Sequence, residues 1–201
     1  EEWEELFTLT SNVYSAVHYN EAIYVIANNI IMISTDYGNT WNVVDSPIND
    51  GNPNLLMINE NYIYLNYGCD LYRASTLSFL WENITANLDQ IGPPEPYSCT
   101  MINDLEFFND NLIASVYWYG GVGTLLIKGN NQNEWLEIES FPAEYSNGLE
   151  YSISDLLFIN GILYAGTASS QNGIFYTGDL TNWMEYSDGL ESYNLSVNEF
   201  N

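Results

Sequence analysis

The chain has few groups that could do chemistry, and most are acids, amides and aromatic rings. Its 201 residues hold 27 Asp plus Glu, 2 Lys plus Arg, 1 His and 2 Cys, for a net charge of −25. The cations are Arg73 and Lys128, so the clusters of Lys and Arg that neutralise phosphates on nucleic acid or anionic lipid cannot be assembled. Ser–His–Asp catalysis would rest on His18 alone, which sits beside Tyr19 in a strand pattern and reads as a strand-face residue. No His/Cys cluster has zinc spacing, and no metal site can be assigned. Oxygen-rich loops such as Asn49-Asp50-Gly51-Asn52 would suit at most a weakly bound Ca²⁺, so no cofactor is expected. Paired carboxylates, the machinery of glycoside hydrolysis, remain open with so many acids, but no pair is marked out. The segment Tyr117-Trp118-Tyr119, before the glycines Gly120, Gly121 and Gly123, puts three consecutive rings at a turn and is the candidate ligand-binding site.

The elements that must position these groups are strands. Val13 to Tyr19, Ile23 to Ala27, Ile30 to Thr35, Tyr62 to Asn66, Leu112 to Tyr117, Leu125 to Lys128, Ile162 to Thr167 and Ile174 to Thr177 are β-branched and aromatic, with Asn, Asp or Gly between them. No window reads as a long helix. Tryptophans recur at Trp3, Trp41, Trp81, Trp135 and Trp183, each leading a short polar strand. Asparagine turns follow Tyr19, Phe108 and Ile159 and precede another strand each time. Four antiparallel strands per period of ~40 to 50 residues read as propeller blades. The expectation is an all-β propeller, residues 1–201, with repeats at about 3–40, 41–80, 81–134 and 135–182 and a partial one at 183–201. That is about four complete four-stranded antiparallel blades plus partial blades at both ends, a segment of a longer array or a chain completed by another copy.

The stretch Ser34-Thr35-Asp36-Tyr37-Gly38-Asn39-Thr40-Trp41 resembles the Asp-box, the BNR repeat, with degenerate versions ending at Trp81, Trp135 and Trp183. The resemblance implies a hairpin between the third and fourth strands of each blade. Ser34, Asp36, Gly38 and Thr40 would shape the turn, and Trp41, with Trp3, Trp81, Trp135 and Trp183, would pack the blades. Asp-box propellers include sialidases, sortilin-type receptors, xyloglucanases and a photosystem II assembly factor. One arginine cannot supply the sialidase arginine triad, and the basic patch of the assembly factor is missing too. Xyloglucanases form their cleft from two propellers in a much longer chain.

The implied role is a non-catalytic module, secreted or at the cell surface, that binds protein or glycan. The alternatives are a structural subunit of an extracellular assembly joined by edge strands, and a hydrolase using two carboxylates. No nucleic-acid partner and no transmembrane segment are expected. The start, Glu1-Glu2-Trp3-Glu4-Glu5, reads as a mature chain without a leader. Cys69 and Cys99 fall near one loop face and form a candidate disulfide, while Asn83 and Asn194 begin candidate glycosylation sequons. The inserts at Asn87 to Tyr97 and Phe141 to Glu150 would share that face.

Overall fold

A computed structural model describes residues 13–27, 30–48, 53–91, 100–117, 123–129, 132–142, 153–167 and 173–186. The first sheet runs in chain order through β1 (Val13–Tyr19), β2 (Ala22–Ala27), β3 (Ile30–Ser34) and β4 (Asn42–Asp45). The second repeats it with β5 (Asn54–Ile58), β6 (Tyr62–Tyr67), β7 (Asp70–Ser75) and β8 (Trp81–Asn83). The third holds β9 (Met101–Phe108), β10 (Asn111–Tyr117), β11 (Gly123–Gly129) and β12 (Leu136–Glu137). The fourth holds β13 (Ile153–Ile159), β14 (Ile162–Thr167), β15 (Ile174–Thr177) and β16 (Met184–Tyr186). All pairings are antiparallel, and among the described residues the one helical element is the 3₁₀ turn Leu88–Gln90. The protein is thus all-β, in four up-and-down sheets. Each Trp strand closes the sheet before it, so the structural repeat starts at the strand after the Trp strand.

Local chemistry sets the turns. Asn20 and Glu21, Asn109 and Asp110, and Asn160 and Gly161 all have positive φ, the two-residue hairpin geometry that matches strand twist. Asn tolerates that region through its short polar side chain. Between β5 and β6 the loop is longer, and Asn59 Oδ1 closes it by accepting the N–H of Asn61 at 2.9 Å and Tyr62 at 2.8 Å. Every first strand also carries a break in its ladder. The extra residue is Tyr14 in β1, Leu56 in β5, Asn103 in β9 and Ser154 in β13.

The chain divides into two compact units, residues 1–85 and 86–201. In the first, Ile26, Ile31, Ile63 and Leu65 are fully buried in a core contributed by both of its sheets, with Tyr19, Tyr24, Tyr67 and Tyr72 packed around it. In the second, Ile113, Leu125, Ile153, Leu163 and Ala165 are fully buried between β9–β12 and β13–β16, and Phe141 meets Phe175 and Trp183 edge-on at 5.5 and 4.9 Å.

Candidate functional site

The Ser34–Trp41 hairpin is closed by its own side chains. Asp36 Oδ1 accepts the Thr40 N–H at 2.8 Å and the Ser34 hydroxyl at 2.9 Å, and Oδ2 accepts the Thr40 hydroxyl at 2.7 Å. Ser34 Oγ accepts the Gly38 N–H at 2.7 Å, and Gly38 has a φ of 90°. The Thr40 hydroxyl, followed by its N–H, holds the Asp36 carboxyl below the usual carboxylate range. The shorter Thr177–Trp183 hairpin uses the same device. Asp179 Oδ1 accepts the N–H groups of Thr181 and Asn182, both at 2.8 Å, and the Asn182 N–H is the main cause of its lowered pKa. In the Ser75–Trp81 hairpin Leu77 replaces the acid. Its hydroxyl cap survives, with Ser75 Oγ accepting the Leu77 N–H, and Leu77 and Leu80 are exposed. These carboxylates are spent on turns.

The tryptophans occupy four different settings. Trp41 packs over Val25, Ala27 and Met32 of its own sheet and donates its indole N–H to Gly38 O at 3.0 Å. Trp81 packs into the first unit's core and donates to Asp45 O, on the outer strand of the preceding sheet, at 2.9 Å. Trp135 is wholly buried and clamped by the Asn87 amide, which accepts its N–H at 2.7 Å and donates to its carbonyl at 3.1 Å. Trp183 lies against the second unit's core with its Nε1 buried and without a hydrogen-bond partner.

A half-buried pair of acids in the second unit escaped the sequence reading. Asp104 and Glu106 alternate on β9, so both point to the face that meets β13. Asp104 Oδ2 accepts the Leu156 N–H at 2.8 Å and Oδ1 the Leu105 N–H at 2.8 Å. Glu106 repeats this two residues on, taking the N–H of Phe158 at 3.1 Å and Phe107 at 2.8 Å. Asn103, the extra residue of the bulge, donates to Ile153 O at 2.7 Å. β13 is the edge strand of its sheet. These side chains therefore satisfy edge groups that a further strand would otherwise pair. Burial pushes Asp104 up to about 7, opposed by the Leu156 and Leu105 N–H bonds, and raises Glu106 for the same reason. Same-face carboxylates with raised pKa values are the ordinary mark of acid–base chemistry. Here every oxygen of the pair already accepts a backbone N–H, so they act as fasteners.

Both cations are committed too. Arg73 sits in register between Tyr64 and Glu82, donates from Nε to Glu82 at 2.6 Å, and lies 4.5 Å over the Tyr62 ring. Burial raises the Tyr64 hydroxyl to about 12. Lys128 Nζ donates to Gln132 O at 2.9 Å and lies 6.0 Å over the Trp135 ring.

Of the candidate ligand residues, Tyr117 ends β10, half-buried, with its hydroxyl on Met101 Sδ at 3.0 Å. Trp118 and Tyr119 lie outside the described residues, as do Trp3, Cys99, Asn194, the Asn49–Asn52 loop and most of both inserts. Cys69, between β6 and β7, is disulfide-bonded. Asn83 is exposed at the end of β8, with its side-chain Oδ1 accepting the Thr85 N–H at 2.9 Å. His18 is exposed on β1. Among the described residues no group of three His, Cys, Asp or Glu could hold a metal, and no helix is long and apolar enough to cross a membrane.

No family model matches the chain, and no curated protein does. Solved structures do. The extracellular domain of BT4673 from B. thetaiotaomicron, assigned to a one-component system in one structure and a hybrid two-component system in another, matches with TM-scores of 0.62 and 0.60. The identities are 16% and 18%, over 95% and 96% of this chain. The chain spans only 24% of that domain. The computationally designed protein Ika4 matches with a TM-score of 0.55 at 12% identity, over 88% of this chain and 100% of its own. At these identities the likeness is one of fold.

Proposed function

We propose that the chain is a β-propeller segment of Asp-box type that works outside the cell as a non-catalytic module binding protein or glycan. The observation that carries this reading is the match, over nearly the whole chain, to the extracellular domain of BT4673. The disposition of charge supports it. Arg73 and Lys128 are tied within their own sheets, and Asp36, Asp104, Glu106 and Asp179 hold backbone groups. What is left to meet a ligand is aromatic, amide and carboxylate surface, with Tyr117, Trp118 and Tyr119 the first residues to test.

The test is binding of the intact chain to an immobilised glycan array and to extracellular proteins, with Trp118→Ala beside it. The expected result is binding that, for an uncharged glycan, varies little with salt and that weakens about tenfold in the variant. Hydrolysis of any arrayed glycan, lost in Asp104→Asn, would replace this reading with the enzymatic one.

A further inference from the structure

Two hairpins of equal length join the third and fourth strands of the second and fourth sheets, Ser75 to Trp81 and Thr177 to Trp183. Counted from either end, Leu77 takes the place of Asp179 and Leu80 that of Asn182. In the fourth sheet this pair is polar and closed on itself. Asn182 gives its backbone N–H and its side-chain amide to the Asp179 carboxylate, both at 2.8 Å. In the second sheet the pair is apolar and open to water, with Leu77 94% and Leu80 76% exposed. Phe79 turns the other way, into the core shared by the first two sheets.

The two leucines are carried on a well-tied frame. Ser75 O accepts the Phe79 N–H at 2.9 Å, and Ser75 Oγ accepts the Leu77 N–H at 3.2 Å. Thr76 fastens the hairpin to the β5–β6 loop, donating its N–H to Asn61 O and its hydroxyl to Glu60 O, both at 2.9 Å. Trp81 fastens the other end to Asp45 O. Side chains placed in advance lose little freedom on binding, which suits an anchor for an apolar pocket. The charge around them selects the partner. Those ties set the exposed residues Glu60 and Asp45 beside the hairpin. Arg73 is the only Lys or Arg in residues 1–85, and Glu82 holds it. With a net charge of −25 on each chain, a second copy is repelled and a positive surface is drawn in.

We propose that the Ser75–Trp81 hairpin is a docking point for a basic protein, with Leu77 and Leu80 seated in an apolar pocket rimmed by Lys or Arg. The surface is a different one from Tyr117–Tyr119, and it serves whether or not those rings bind a ligand.

The probe is a short amphipathic helical peptide of Leu and Lys, labelled with a fluorophore and titrated with the intact chain while anisotropy is read. Its Kd is expected to be at least about tenfold lower than that of the peptide with Gln in place of every Leu, and to rise with salt. Leu77→Asp combined with Leu80→Asn installs the pair found in the fourth sheet. That variant should abolish the advantage of the Leu peptide although it adds a negative charge, and should bind the Gln peptide no more weakly than the unmodified chain does. Equal affinity for the two peptides would overturn the proposal. So would an advantage that survives in the variant, because the apolar contact would then lie elsewhere. Equally tight binding of a Leu–Glu peptide would overturn it as well, since charge would then select nothing. A dimer of the unmodified chain in sedimentation, absent in the variant, would give the hairpin to a second copy instead.

Discussion

Between the first two sheets, Ile26, Ile31, Ile63 and Leu65 meet without a buried acid among the described residues, and Val17 on β1 stands where Glu106 stands on β9. Between the last two sheets the same topology adds Asp104 and Glu106, whose oxygens take edge N–H groups of β13. Two solutions to one packing problem therefore coexist in a single chain. Apolar side chains fill the first seam, with a Trp81–Asp45 bond at the margin. Acceptors on the facing strand add directionality, fixing which residue of β13 lies beside which residue of β9, at the cost of burying charge.

Removing core volume should have the largest effect and should treat the two seams alike. Leu65→Ala and Leu125→Ala, at positions with 0% exposure, are each expected to cost about 2–5 kcal/mol in denaturant unfolding, whatever the pH. A much smaller loss in one would mean that its seam relies on something else.

Next comes pH, which should separate the seams. The native pKa of Asp104 is raised to about 7 from 3.8, so between those values the folded state binds the proton and the unfolded state does not. Its contribution is full below pH 3.8 and is lost as pH rises through 7, an amount on the order of a few kcal/mol. Glu106 is shifted in the same direction. Unfolding measured at pH 5 and pH 8 should show this loss for the second unit, and Asp104→Asn should flatten it. An unchanged slope in the variant would assign the pH dependence to other groups.

A smaller effect belongs to the first seam alone. Trp81→Phe keeps an aromatic ring but deletes the donor to Asp45 O and part of the ring packed on the core, for an expected loss of at least about 0.5–1.5 kcal/mol with no new pH dependence. Smallest of all are the hairpins. Asp36→Ala and Asp179→Ala should speed amide exchange at Thr40 and at Thr181 and Asn182 respectively, leaving both seams untouched. Because both acids have lowered pKa values, their stabilisation is lost as pH falls, opposite to Asp104.

These contrasts also explain what could be read from the sequence. The strands from Val13 to Tyr19, Ile162 to Thr167 and Ile174 to Thr177 match the sequence reading residue for residue, since period-two patterning and asparagine turns are local signals. The hydrogen bonds around Asp36 span a few residues and could be anticipated from that stretch. Asp104 and Glu106 could not. Alternating with Leu105 and Phe107 they look like an ordinary solvated face, and their partners lie some fifty residues later. Only the topology, which leaves β13 with an open edge, reveals that those positions need acceptors. Phe79 and Leu180, non-glycine residues with φ of 52° and 62°, are likewise invisible locally, because their side chains are drawn into the cores and hold the backbone there.

The bulges at Tyr14, Leu56, Asn103 and Ser154 have a consequence for how such a chain can change its length. Elsewhere in a strand, one residue gained or lost exchanges every later side chain between core and solvent, a frameshift in three dimensions. At the bulge the strand already carries one residue more than its partner needs. Deleting Ser154 would restore a regular ladder while Leu156, Phe158 and the Asn160 turn kept their places. Each first strand thus contains one site where an insertion or deletion can be absorbed without scrambling the faces.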